Sequence, residues 1–128
     1  MTITVPPSAP ARRAAPTWVD VCPFDDLVPD RGVCALVGGQ QVAVFRVAPD
    51  DQLFAIANRD PFSGANVLSR GIVGSKEGTP KVASPMYKQC FDLATGEAIG
   101  DPAVRLRTFP VRVQEGRVEV GVVDDRAP

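Results

Sequence analysis

Phe54-Ala55-Ile56-Ala57-Asn58-Arg59-Asp60-Pro61-Phe62-Ser63-Gly64-Ala65-Asn66-Val67-Leu68 and Ser84-Pro85-Met86-Tyr87-Lys88-Gln89-Cys90-Phe91-Asp92-Leu93-Ala94-Thr95-Gly96-Glu97 are the two stretches on which the reading of this sequence turns. Each joins a short β-prone run to a polar segment punctuated by Pro and Gly, the composition of a strand meeting a loop. Between and around them, Asp60-Pro61, Ser63-Gly64, Gly71, Gly74, Gly78 and Thr79-Pro80 make Asn58–Pro80 read mostly as loop, with one helical turn near Ala65–Ser69. Loops of that length inside a compact domain are usually functional. The role of the Gly71–Pro80 part is left open by its residues.

Outward from this centre the chain is a series of short strands. Trp18–Val21, Val33–Val37, Val42–Val47, Leu53–Ala57, Val82–Ser84 and Gln89–Asp92 are rich in Val, Ile and Phe, the residues that suit a pleated surface. Gly38-Gly39 marks a hairpin. Val111, Val113, Val118 and Val120 alternate with polar residues about Glu115-Gly116, the pattern of a half-buried hairpin. Pro23–Leu27 is at most one helical turn. About nine strands are expected, and no long 3.6-residue periodicity appears. The fold class is therefore all-β, an antiparallel sandwich or small barrel with a loop-rich insertion. No internal repeat is evident in the residues.

The chain has 128 residues, enough for one core, with 45% hydrophobic and 23% charged residues and a formal net charge of −1. That balance argues against nucleic-acid binding, which needs a basic surplus. There is no histidine. Histidine-based acid–base and nucleophile systems, His-ligated haem and most zinc sites are excluded by that count alone. Cys22, Cys34 and Cys90 form no CxxC pair, and three thiols cannot fill the four ligand positions of an iron–sulfur cluster. Cys34, inside Val33–Val37, reads as a buried inert thiol, and Cys90 as buried beside Phe91. Trp18 reads as a core or barrel-end plug. The paired carboxylates Asp25-Asp26 and Asp50-Asp51 read as helix-end and turn chemistry.

Residues 1–16, rich in Ala and Pro, are expected to be a disordered tail, 17–123 the β domain and 124–128 a frayed end. No apolar run reaches the length of about 20 residues that a membrane helix requires. Free thiols and the lack of a convincing signal segment suit the cytoplasm.

The two quoted stretches resemble the cluster-binding loops of Rieske-type ferredoxin domains, in which C-x-H stands in the first loop and C-P-x-H in the second. Gly64, Leu68, Pro85, Phe91-Asp92 and Thr95-Gly96 stand at matching places. The ligands do not: the cysteine positions are Asp60 and Ser84, and the histidine positions are Phe62 and Tyr87. A phenyl ring cannot coordinate iron, and a serine hydroxyl is a poor ligand for a soft centre. A Rieske-like domain without ligands resembles the small-subunit family of assimilatory NAD(P)H-dependent nitrite reductases, and the likeness runs from Trp18 to Val122. It is most specific over Asn58–Lys88.

The resemblance implies no catalytic residue, metal or cofactor in this chain. It implies a large-subunit partner holding FAD, a [4Fe–4S] cluster and sirohaem that reduces nitrite to ammonium, in a complex without nucleic acid or membrane. The alternative is a stand-alone Rieske-like ligand-binding or scaffold domain with no redox role. At the former ligand positions, Asp60 and Ser84 either hydrogen-bond across the two loops, with Phe62 and Tyr87 filling the cluster's space, or Asp60 caps a turn and Phe62 is simply core. Arg59, Arg70, Lys76, Lys81 and Lys88 either form a docking surface, with Met86 and Tyr87 as interface residues, or a solvated loop rim.

Overall fold

The computed structural model describes residues 16–122 apart from Glu77 and Tyr87, and nothing is described of the Lys76 side chain. The expected terminal tails therefore lie outside the described residues, Pro16 excepted. The strands in chain order are β1 (Thr17–Pro23), β2 (Arg31–Val37), β3 (Gln40–Val47), β4 (Gln52–Ala57), β5 (Ile72–Lys76), β6 (Thr79–Ala83), β7 (Cys90–Asp92), β8 (Glu97–Ala98), β9 (Asp101–Arg105), β10 (Thr108–Phe109), β11 (Val111–Gln114) and β12 (Arg117–Val122). Two 3₁₀ turns, Phe24–Asp26 and Leu68–Arg70, complete the regular structure. All pairing between strands is antiparallel.

Three sheets result, ordered β1-β12-β11, β10-β4-β3-β2 and β5-β6-β7-β8-β9. The second lies between the other two, and β3 shows it. Val42, Ala43, Val44 and Phe45 are all buried although a strand alternates its side chains between faces. Ala43 and Phe45 pack with Val82 and Phe91 on one side. Val42 and Val44 pack with Val118 and Val120 on the other. A continuous apolar run in a strand is the mark of burial on both faces.

Both expected hairpins are present. Gly38 and Gly39 have φ of 57° and 82°, and Glu115 and Gly116 have 54° and 79°. Two successive positive φ values match the twist of the strands they join.

The structure departs from the sequence reading in identifiable places. Gly71–Pro80 is not a loop: Ile72–Lys76 and Thr79–Ala83 pair as a hairpin. Glycine, serine and lysine gave it little β signal, and the pairing is secured instead by tertiary contact, with Val82 opposite Phe91 of β7. The helical turn expected at Ala65–Ser69 is the 3₁₀ turn at Leu68–Arg70. The short strands β8, β9 and β10 were not anticipated.

Trp18 is no plug. Val19 and Val21 face the core, so Trp18 faces out, and its ring lies under the Arg112 guanidinium at 4.1 Å. Cys34 is exposed. The run Val33–Val37 alternates after all: Val33, Ala35 and Val37 point inward, Cys34 and Leu36 outward, because β2 ends its sheet. Cys90 is half-buried, on the opposite face from buried Phe91.

These placements order the thiols. Burial, then the charge of Asp26, pushes the Cys22 thiol above its ordinary range. A thiol-specific alkylating reagent near neutral pH is expected to modify Cys34 first, with Cys22 much slower. Peptide mapping of a partly alkylated sample checks this, and faster labelling of Cys22 would contradict it.

Candidate functional site

β4 runs out of its sheet at Ala57, and the chain enters the first quoted loop through Asn58. This side chain is buried and fully used. Its amide nitrogen donates to Gln41 Oε1 at 3.0 Å and to Cys34 Sγ at 3.5 Å. Its side-chain oxygen accepts from the Ser69 N–H at 2.7 Å, and its backbone carbonyl accepts from the Leu68 N–H. Asn58 thus ties both ends of the loop to β2 and β3. Sequence reading passed over it, since an Asn at a strand end is also an ordinary turn residue.

The next residues build one hydrogen-bond scheme, and the second loop builds it again. The Asp60 N–H donates to Ala65 C=O at 2.8 Å, its C=O accepts from the Gly64 N–H at 2.7 Å, and its Oδ1 accepts from the Phe62 N–H at 2.8 Å. The Ser84 N–H donates to Gln89 C=O at 2.8 Å, its C=O accepts from the Lys88 N–H at 2.9 Å, and its Oγ accepts from the Met86 N–H at 3.2 Å. In each loop the second residue is proline, which fixes φ and has no N–H to satisfy. In each the fifth has positive φ: Gly64 at 80° and Lys88 at 58°. The repeat lies in the backbone and is nearly invisible in the residues.

The two loops close on each other through their first residues. Ser84 Oγ donates to Asp60 Oδ2 at 2.5 Å. Asp60 is 0% exposed and Ser84 1%. Both expectations for Asp60 therefore hold at once: one carboxyl oxygen caps its own turn, the other crosses to the partner loop. The hydroxyl likewise accepts from its own loop while donating across. A bond this short, satisfied on both sides and sealed from water, is at the strong end of its class.

Phe62 is not core. It is 39% exposed, with its ring 6.0 Å from that of Phe91. Tyr87 lies outside the described residues. Pro61, Phe62, Pro85 and Met86 make an exposed apolar tip, Met86 at 47%. Arg59 and Lys88 are exposed beside it, and an Arg59 nitrogen stands 3.3 Å from where a Cβ on Gly64 would be. Arg70 is instead placed with Arg31 on a separate groove. Lys81 turns to Cys90, Nζ to Sγ 3.7 Å.

The residues do not fit a [2Fe–2S] cluster. Asp60 and Ser84 spend their side-chain oxygens on each other and on backbone N–H groups, and Phe62 offers no donor atom. Among the described residues no group of three or more His, Cys, Asp or Glu side chains could hold a metal ion. No helix among them is long and apolar enough to cross a membrane.

Residues 17–121 match the family of Rieske-like [2Fe-2S] domains. The nitrite reductase (NADH) small subunit of Escherichia coli K12 is 45% identical over 80% of this chain and 95% of its own length. A crystal structure described as an NADH-dependent nitrite reductase small subunit, from Mycobacterium tuberculosis, superposes with a TM-score of 0.82 at 46% identity, covering 84% of this chain and 96% of that one. The nitrite reductase [NAD(P)H] large subunit of Klebsiella oxytoca contains a segment 39% identical to 90% of this chain, which is 11% of that protein. The chain belongs to the nitrite reductase small-subunit family, within the Rieske-like domains.

Proposed function

We propose that this chain is the accessory small subunit of a cytoplasmic NAD(P)H-dependent nitrite reductase, and that it presents the tips of its two loops to the large subunit. The large subunit, holding FAD, a [4Fe–4S] cluster and sirohaem, reduces nitrite to ammonium, and this chain takes no electrons itself. The observation behind this reading is the buried Asp60–Ser84 bond. It makes the loop pair a preformed surface, and ordering a surface beforehand lowers the cost of binding.

The Klebsiella large subunit supports the partnership, because in that protein a domain like this one is covalently part of the enzyme. The reading as a stand-alone ligand-binding domain is not favoured, given likeness along nearly the whole length of the E. coli small subunit.

Pro61, Phe62 and Met86 supply the apolar centre of the contact, and Arg59 and Lys88 its charged rim, the usual anatomy of an interface. The test is nitrite-dependent NAD(P)H oxidation by the purified large subunit with and without this chain. A rise in turnover, or rescue of an otherwise unstable enzyme, is expected; no effect and no complex would reject the reading. Lys88→Glu should keep the melting temperature, since neither residue changes the cost of the positive φ. It should weaken large-subunit binding by roughly 2–5-fold, the scale of a rim charge. Unchanged affinity would remove Lys88 from the contact.

A further inference from the structure

β5 is the open edge of its sheet, and the direction of its free hydrogen-bonding groups can be derived. Pro80 of β6 sends its carbonyl toward the β7 side, where it accepts from the Leu93 N–H at 3.1 Å. In a strand, N–H and C=O of one residue point the same way. The face of Pro80 toward β5 is therefore not hydrogen-bonded, and its partner Ser75 directs its own N–H and C=O away from β6. Alternation gives the same direction to Val73, opposite Val82. Two residues of β5 thus hold out a ladder with no strand on it among the described residues, the condition under which an edge accepts another chain.

That edge lies along a groove. A cavity of about 420 Å³ includes Arg31, Ser69, Arg70 and Ile72 in its lining. Another, of about 350 Å³, includes Gly74, Ser75 and Asp50. Asp30 and Val73 border both, so the two run on into each other along β5. Charge is uneven along this path. At the Ile72 end stand two guanidinium groups, Arg31 and Arg70, with no ion pair among the described residues. By contrast Arg46, Arg105, Arg112 and Arg117 are each paired with a carboxylate. Asp30 borders this end too, but it forms no ion pair with either guanidinium among the described residues, and its Oδ1 accepts from the Ala48 N–H at 3.0 Å. Beside the arginines Ile72 is 76% exposed, the largest value among the big exposed apolar residues.

We propose that β5 receives an extended segment of the large subunit as an added antiparallel or parallel strand, with an acidic side chain of that segment between Arg31 and Arg70 and an apolar one against Ile72. This rests on the subunit reading above, but uses a different face from the loop tips. A free small anion would satisfy the arginines and leave the ladder and Ile72 unexplained. An extended acidic peptide satisfies all three, by backbone bonds for affinity and side-chain contacts for register.

The experiment is calorimetric titration of the purified large subunit with the full chain and three variants, each first shown to melt as the wild type does. Ser75→Pro removes an outward N–H while leaving the β5–β6 ladder intact, and is expected to weaken binding about tenfold. Ser75→Ala keeps the N–H and should bind within about twofold of wild type. Arg31→Glu/Arg70→Glu should weaken binding about tenfold or more. Wild-type affinity in both the proline and the charge-reversal variants overturns the proposal and leaves the subunit reading standing. Loss in the charge-reversal variant alone means electrostatic steering without an added strand, and also overturns it. Failure of the wild-type chain to bind overturns the subunit reading itself. A wild-type dimer in sedimentation that Ser75→Pro renders monomeric assigns the edge to a second copy of this chain, against the proposal.

Discussion

Asp60→Ala is expected to lower folding stability by about 2–4 kcal/mol. The substitution leaves two donors without acceptors, the buried Ser84 hydroxyl, at about 1–3 kcal/mol, and the part-buried Phe62 N–H, toward the low end of that range because water can reach it. Urea unfolding followed by circular dichroism measures it. Asp60→Asn should cost less, because the amide keeps an acceptor for the Phe62 N–H and can donate to Ser84 Oγ. The pair can be isolated by a double-mutant cycle with Ser84→Ala, where a coupling of about 0.5–3 kcal/mol is expected. Additive effects would show that the loops close independently and that the cross-loop bond is incidental. The functional consequence follows from the same bond: with the clasp open the tips are no longer preformed, so large-subunit affinity should fall together with stability in Asp60→Ala.

Phe91→Ala should be the more damaging of two superficially similar changes. Phe91, on β7, is completely buried against the middle sheet, in one cluster with Phe45, Val82 and Leu93. Truncating a phenylalanine in such a site costs about 3–5 kcal/mol, through lost transfer energy and the cavity left behind. For a domain of this size that lowers the melting temperature by more than about 10 °C. Phe62→Ala removes the ring tilted against it at 6.0 Å, yet should cost only about 1–2 kcal/mol, since Phe62 is 39% exposed and water already reaches it. Calorimetric melts of the two variants decide the matter. Equal losses would mean that Phe62 is a core residue, which its exposure argues against.

The two loops show how far local residues speak. Asp60-Pro61 and Ser84-Pro85 announce turns, and the lack of any sulfur or imidazole at Asp60, Phe62 and Ser84 announces that no soft metal centre belongs there. What these residues do instead could not be read locally. The clasp joins positions 24 apart in the chain, and the bond depends on both loops having the same internal scheme. That scheme is made of backbone groups, identical in every residue, so it leaves almost no trace in residue identity. Asn58 was passed over for the same reason: its partners Gln41, Cys34 and Ser69 come from three separate elements.

Residue identity by itself determined that this is an all-β chain, with hairpins at Gly38-Gly39 and Glu115-Gly116, a Rieske-like loop pair and no histidine chemistry, because turn preferences and strand alternation act over two to five neighbours. Only the tertiary structure decided which face of a strand is wet. Val33–Val37 reads as one apolar run, and it is the place of β2 at the end of its sheet that puts Cys34 and Leu36 into solvent. It also decided that Gly71–Pro80 is a hairpin and that Ser75 points its N–H outward. Those are facts of pairing and register, set by which strand lies alongside and by how much apolar surface the pairing removes from water.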